Sequence, residues 1–210
     1  MKITDDNKIM DRILAIGPHP DDIELGCFGT LAKYHANGSK IGFVVLSFGG
    51  AKSKENKRKK EAIASAKLLS AKTYFGELPD TKISDGVTTI SIIEKAINDF
   101  KPTLVIVNST NDTHQDHRNA SRAAISAARF VPAVLFYQTP SSTRDFNPKF
   151  FVDISNHIDI KMQAVQLHVS QGENVYMADR AIKGLAEFLG FQIYQGGKHY
   201  EGFEIHQLIV

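Results

Sequence analysis

The 210-residue sequence predicts an α/β fold, with a mostly parallel sheet flanked by helices on both faces. Short apolar runs alternate with segments of helical length along most of the chain. This alternation is typical of parallel sheets, and almost continuously apolar runs are expected of strands that are buried on both faces. No internal repeat or low-complexity linker interrupts the sequence. We therefore expect one Rossmann-like domain over residues 1–210.

The first two-thirds of the chain supply five of the predicted strands. A strand over residues 13–16 leads to a helix over 26–36, which ends at Asn37 and Gly38, a pair typical of helix C-termini. The spacing of apolar residues predicts the elements that follow. The further strands are at 41–47, 73–75, 104–107 and 133–137, and the helices between them are at 55–69, 89–100 and 117–129.

The pattern changes after Gln138. A proline-containing loop over 139–149 is followed by elements that are predicted as a strand at 151–154, helices at 158–169 and 175–189, and a closing apolar segment at 203–210. In open parallel sheets the functional crevice lies outside the carboxyl ends of the strands. The residues directly after the strands are therefore the first candidates for a functional site.

Composition and charge exclude several classes of protein. The chain has 25 Lys and Arg against 23 Asp and Glu, and this net charge of +2 gives no support to nucleic-acid binding over the whole surface. Cys27 is the only cysteine, so no internal disulfide forms. No apolar run reaches the roughly 18–20 residues of a membrane span, and the N-terminus is polar without a signal-peptide core. We expect a cytoplasmic protein with no nucleic-acid partner.

A cluster of ionisable residues follows the first strand. Pro18 and Pro20 bracket His19, and a residue before proline is pushed away from the helical region, so the loop is extended and stiff. The adjacent carboxylates of Asp21 and Asp22 repel unless a cation lies between them or one is protonated. His19 and Asp22 could bind one metal, with Asp21 turned toward its water. A solvated acidic turn, with Asp22 as a helix N-cap, is the weaker alternative.

A second cluster follows the strand at 104–107. His114 and His117 are three residues apart, so they share a face of a helical first turn. Asp116 can accept a hydrogen bond from a histidine ring and thereby fix its tautomer. Surface histidines on a polar helix cap are the alternative. Because both clusters follow parallel strands, at the same edge of the sheet, a shared metal site is the better interpretation.

These two motifs resemble those of the PIG-L/LmbE-like family of zinc-dependent de-N-acetylases. The family hallmarks are a His-Pro-Asp-Asp segment after the first strand and a His-x-Asp-His segment after a later one, and they stand here at 19–22 and 114–117. Weaker similarities extend over most of the chain, at 58–61, 79–80, 161–171 and 201–203. Two departures, at 28–29 and 48–51, fall near the expected pocket rim and bear on the substrate rather than on the metal.

The resemblance implies a role for each residue. The implied ligands of one zinc ion per chain, with ferrous iron as the alternative metal, are His19, Asp22 and His117. Asp21 would be the general base. His114, oriented by Asp116, would stabilise the oxyanion or act as an acid. The implied substrate contacts are Arg58 and Asp80.

The implied reaction removes an N-acetyl or similar N-acyl group from an amino sugar, such as N-acetylglucosamine, or its conjugate, by Asp21-assisted attack of a metal-bound water. A metal-dependent esterase or phosphoesterase, or a non-catalytic carbohydrate-binding relative, is the alternative. Residues 52–60 hold six basic side chains, which form either a rim for a phosphate- or nucleotide-bearing substrate or a solvated helix start. Arg144 is a further candidate substrate contact. His168 either lines the site or packs beneath it, and a homo-oligomer is left open.

Overall fold

In a computed structural model of the protein, residues 10–50 and 52–209 are described, with residues 52–55 represented by their helical backbone alone. The strands in chain order are β1 (Arg12–Gly17), β2 (Lys40–Ser47), β3 (Lys72–Leu78), β4 (Leu104–Asn108), β5 (Ala133–Tyr137), β6 (Phe150–Asp153) and β7 (Tyr200–Leu208). The helices in this part of the chain are α1 (Asp22–Ala36), α2 (Lys52–Lys67), α3 (Val87–Phe100), α4 (Gln115–Ala127), α5 (Ile158–Gln166) and α6 (Asp179–Gln192). Short 3-10 turns lie at Ser155–His157, Val169–Gln171 and Val175–Met177.

The seven strands form one sheet in the order β3-β2-β1-β4-β5-β7-β6. The five strands from β3 to β5 run parallel, whereas β7 pairs antiparallel with both β5 and β6. The predicted fold class is therefore confirmed. Because chain order runs outward in both directions from β1 and β4, the crevice of this sheet lies at the carboxyl ends of these two strands.

The strands β1, β2, β4 and β5 are buried on both faces, as their apolar sequences require. Ile13 and Ala15 of β1 join a core cluster with residues of α1, α2 and α5, whereas Leu14 and Ile16 join a second cluster with residues of α3 and α4. All four side chains are fully buried. Burial of one large apolar side chain of this kind stabilises a fold by about 1.5–3 kcal/mol. The core therefore holds the ends of β1 and β4 in fixed positions.

Several helix boundaries differ from the prediction. The helix predicted from residue 26 begins at Asp22, whose carboxylate accepts a hydrogen bond from the backbone N of His19 at 2.8 Å, so Asp22 lies in a helical first turn rather than in the loop. The helix predicted from 117 begins at Gln115, because the ring of His114 caps it. The helix predicted over 175–189 is a 3-10 turn followed by α6, since the backbone is extended at Ala178.

The structure bears on only one of the two observations behind the expected cytoplasmic location, which are the lack of a membrane span and the polar N-terminus. Among the described residues, no helix combines the length and the apolar character that a membrane crossing needs. The polar N-terminal segment, over residues 1–9, lies outside the described residues.

Candidate active site

The three predicted metal ligands come together at the carboxyl ends of β1 and β4. Oδ2 of Asp22 lies 3.5 Å from Nδ1 of His19 and 3.5 Å from Nε2 of His117. All three residues are buried, and one ligand atom from each lies within 4.8 Å of the other two. Two imidazole nitrogens and one carboxylate oxygen form a donor set that fits a zinc ion with an open coordination position.

The ring of His117 is oriented by the carboxylate of Asp112, for which the sequence predicted no role. Asp112 Oδ2 lies 3.0 Å from Nδ1 of His117 and accepts a hydrogen bond from the Thr139 hydroxyl at 2.5 Å. Burial alone would raise the pKa of Asp112, but the hydrogen bonds from His117 and Thr139 outweigh it and hold that pKa below its ordinary value. With Nδ1 donating to Asp112, Nε2 of His117 presents its lone pair to the ligand cluster.

The ring of His19 is held between two further carboxylates. Its Nε2 atom lies 3.3 Å from Asp116 Oδ2 and 3.3 Å from Asp80 Oδ1. Burial would lower the pKa of His19, but hydrogen bonds to Asp116, Asp22 and Asp80 raise it well above its ordinary value. His19, Asp80 and Asp116 could also bind a cation together. Since they share His19 with the ligand cluster, we assign the two outer carboxylates to its orientation.

This arrangement corrects the predicted role of Asp116. The carboxylate was expected to orient His114, but it contacts His19 and accepts a hydrogen bond from the backbone N of Thr81 at 2.8 Å. Only the backbone N of Asp116 reaches His114, donating to its Nδ1 atom at 3.2 Å. The sequence could not reveal this, because the second partner of Asp116 comes from the loop after β3.

His114 presents its other ring nitrogen to the cleft. Because Nδ1 accepts a hydrogen bond as the N-cap of α4, the neutral ring carries its proton on Nε2. Burial, followed by the nearby rings of His117 and His19, lowers the pKa of His114. The centroids of those rings lie 4.7 and 5.1 Å away. His114 is therefore a neutral hydrogen-bond donor.

Asp21 stands apart from the ligand cluster. It precedes α1 with φ of 100°, a conformation that non-glycine residues adopt rarely and that clusters at functional sites. Burial raises the pKa of Asp21 to about 7, an effect that the charge of Asp22 reinforces and that of Arg58 opposes. Nη2 of Arg58 lies 3.6 Å from Asp21 Oδ1 and donates to the carbonyl of Pro20 at 2.9 Å.

The predicted substrate contacts occupy three different environments. Arg58 is buried against Asp21, although it also lines the cleft. Asp80 is one-third exposed at the cleft, where its contact with His19 lowers its pKa. Arg144 is exposed in the loop after β5, outside the lining of the cleft.

The structure also locates His168, Cys27 and the basic stretch over residues 52–60. His168 is almost fully buried, and its Nε2 atom lies 3.3 Å from Glu24 Oε1, so it packs beneath the site rather than lining it. Cys27 is buried in the core. In the basic stretch, the side chains of Lys52 and Lys54 lie outside the described residues, and Lys59 pairs with Glu77 at 3.0 Å.

The cleft that contains these groups has a volume of about 320 Å³. Five further residues complete its wall, and of these Gln171 alone belongs to a segment that resembles a family motif. These are Leu25, Pro140, Ser141, Gln171 and Tyr176. Leu25 lies on α1, whereas the positions of the other four depend on the packing of the loop after β5 and of the 3-10 turns before α6, which a single sequence does not specify.

The chain is similar to several known proteins in sequence and in fold. A family model described as PIG-L: GlcNAc-PI de-N-acetylase matches residues 14–128. The uncharacterized deacetylase YaiS of Escherichia coli strain K12 is 33% identical over 75% of this chain and 90% of its own length. The diacetylchitobiose deacetylase of Thermococcus kodakarensis is 26% identical over 81% of this chain and 73% of its own. The crystal structure of GalB, the 4-carboxy-2-hydroxymuconate hydratase of Pseudomonas putida KT2440, shares the fold, with a TM-score of 0.83 at 22% identity over 96% of this chain and 98% of that one.

Proposed function

Because the chain belongs to the PIG-L de-N-acetylase family, we propose that it uses one zinc ion to hydrolyse the N-acetyl, or a similar N-acyl, group of an amino sugar or amino-sugar conjugate. The observation that carries the proposal is the position of Asp21. This buried carboxylate borders the cleft beside the three clustered ligands His19, Asp22 and His117, and is not one of them. A binding protein has no need of such a group.

The ligand cluster suits the metal chemistry that the reaction needs. A zinc ion held there would act as a Lewis acid toward the amide carbonyl and would lower the pKa of water. Asp112 accepts a hydrogen bond from the His117 ring, and Asp116 accepts one from the His19 ring. These bonds make both rings stronger metal ligands. Ferrous iron accepts the same donor types, and metal analysis of the purified enzyme distinguishes the two.

Asp21 would act as the general base. Its pKa of about 7 allows the carboxylate to take a proton from the attacking water near neutral pH. The same carboxyl group then returns this proton to the amine as the C–N bond breaks, so the products are acetate and a free amino sugar. Arg58 holds Asp21 in place through the 3.6 Å ion pair.

His114 would stabilise the charge that develops on the carbonyl oxygen. A neutral ring with a proton on Nε2 donates a hydrogen bond to an oxyanion without having to be charged first. The sugar would lie toward the polar part of the cleft, where Asp80 and Gln171 offer partners for hydroxyl groups. Arg58 contacts Asp21 and the Pro20 carbonyl through Nη2, and this positioning role does not depend on whether the substrate carries a phosphate or nucleotide group.

Acetate release from a panel of N-acetylated amino sugars tests the proposal. The panel contains N-acetylglucosamine, N,N'-diacetylchitobiose, and nucleotide-, thiol- and lipid-linked conjugates. We expect metal-dependent acetate release from at least one. Hydrolysis of O-acetyl or phosphate esters alone would favour the esterase or phosphoesterase, and binding without turnover would favour a carbohydrate-binding protein.

A further inference from the structure

A second cavity, of about 250 Å³, lies beside the reaction cleft. One side of its wall is formed by α6, through the apolar side chains of Ile182, Leu185 and Leu189. The sequence motifs give no role to this helix, and the chemistry proposed above does not use it. The cavity is therefore a feature that the reaction itself leaves unexplained.

The cavity and the cleft meet along a shared wall. Leu25, Pro140 and Tyr176 line both spaces. Leu25 lies one helical turn after Asp21 and Asp22, so the shared wall begins directly beside the reacting groups. A group that is attached to the scissile carbonyl needs to extend only past this wall to enter the cavity.

The charged groups at the cavity are already paired. Nζ of Lys161 lies 2.5 Å from Glu201 Oε1 and donates to the carbonyl of Leu25 at 2.7 Å. The Glu201 carboxylate also accepts hydrogen bonds from the backbone N atoms of Gly29 and Thr30, at 3.0 and 2.7 Å. Because this buried pair is satisfied, the cavity suits an uncharged, apolar group.

The sheet order separates this cavity from the polar end of the cleft. Asp80 follows β3 at one side of the crevice, whereas Pro140 follows β5 at the other side. Sugar hydroxyl groups need hydrogen-bond partners, which are found near Asp80 and Arg58. If the sugar, on the amine side of the amide, lies near Asp80 and Arg58, then the acyl group on the other side of the amide points toward Pro140 and Leu25.

We propose that the cavity binds the alkyl chain of an N-acyl group longer than acetyl, an inference that rests on the proposed deacylase function. A volume of about 250 Å³ corresponds to about eight water-sized groups, enough for a chain of about six carbons. The substrate class is thereby an amino sugar with a medium-length N-acyl chain. Each buried methylene should raise kcat/KM about fourfold, until the cavity is full.

The test measures kcat/KM of the metal-loaded enzyme for N-acetyl-, N-butanoyl-, N-hexanoyl- and N-dodecanoyl-glucosamine. Hexanoyl has four more methylenes than acetyl, so we expect an increase of about 250-fold between them, followed by a decline at dodecanoyl. Hydrolysis of the acetyl substrate with a flat or falling profile overturns the inference and leaves the proposed function intact. Absence of hydrolysis for every N-acyl sugar overturns the proposed function as well.

Variants of α6 assign the effect to the cavity. Leu185 is 43% exposed, so Leu185→Asn should fold while reducing the preference for hexanoyl over acetyl about fivefold. Phe188→Ser is the matched control, because Phe188 is 56% exposed on the same helix and lies outside the cavity lining. Ala181→Phe should fill the cavity and shift the preference toward shorter chains.

One alternative occupant is tested in parallel. The octyl β-glycoside of N-acetylglucosamine carries its alkyl chain on the sugar instead of on the acyl group. We expect its kcat/KM to respond equally to Leu185→Asn and to Phe188→Ser. A gain for this glycoside that Leu185→Asn alone abolishes would place the aglycone in the cavity and overturn the acyl assignment.

Discussion

Asp112 Oδ2 lies 3.0 Å from Nδ1 of His117 and accepts a second hydrogen bond from Thr139. The pair fixes which nitrogen of His117 faces Asp22, and so links the loop after β5 to the ligand cluster. A carboxylate behind a metal-binding histidine strengthens metal affinity without touching the metal.

Asp112→Asn should therefore weaken zinc binding by about 10–100-fold, since the uncharged amide holds the His117 ring less firmly. Competition with a chelator measures the affinity. Asp145→Asn, in an exposed part of the loop after β5, is the matched control. Equal affinities for the two variants would show that Asp112 does not support the ligand cluster.

Gly49→Ala should reduce kcat/KM by about tenfold, because it displaces Arg58 from Asp21. A Cβ atom at Gly49 would lie 2.1 Å from Arg58 Nη1, and φ there is +63°. Gly50→Ala is a close control, because φ is +75° at Gly50 but, its chain neighbours apart, no atom of the described residues lies within 4 Å of its Cβ position. Both variants share the backbone strain, so similar losses of activity in the two would refute the role given to Arg58.

His114→Ala should lower kcat by about 10²–10³-fold through loss of the oxyanion donor, while zinc content stays near that of the parent enzyme. Steady-state kinetics and metal analysis on one preparation check both parts. His35→Ala is the control, since His35 lies beside the amino end of β2, away from the cleft. A modest effect on kcat, or loss of the metal, would contradict the assignment of His114.

Gly26→Ala should destabilise the fold by about 1–3 kcal/mol through overpacking. A Cβ atom at Gly26 would lie 2.0 Å from Cδ2 of Tyr137, whose hydroxyl donates to the Ile16 carbonyl at 2.9 Å. In α6, the Cβ position of Gly184 has no atom of the described residues within 4 Å apart from its own helical backbone and chain neighbours, so Gly184→Ala should stabilise by about 0.5–1 kcal/mol. The free energy of unfolding in urea measures both, and a Gly26→Ala variant as stable as the parent would disprove this packing.

The sequence predicted the parts of this protein that local patterns determine. Continuous apolar runs predicted the parallel strands, and the two motifs predicted that His19, Asp22 and His117 would meet, because the carboxyl ends of β1 and β4 are neighbours. The position of each motif after a strand predicted one shared metal site, whereas the choice of His117 rather than His114 as its third ligand came from the family resemblance.

The remaining details depend on long-range contacts that a single sequence does not contain. Asp116 faces His19 instead of His114 because Thr81, from another loop, fixes its carboxylate. Tyr176 reaches the cleft because its segment forms a 3-10 turn, where helical periodicity predicted a continuous helix. Such contacts decide where side chains point and shift the ends of several helices, whereas local patterns predict the type and order of the elements.

The most direct test of the central claim compares Asp21→Asn with the parent enzyme, on an N-acetylated amino sugar that the parent hydrolyses. Zinc stoichiometry should stay near one per chain while acetate release falls by about 10²–10⁴-fold, because the variant keeps the ligand cluster and loses the general base. Acetate release at the parent rate by zinc-loaded Asp21→Asn would contradict the account.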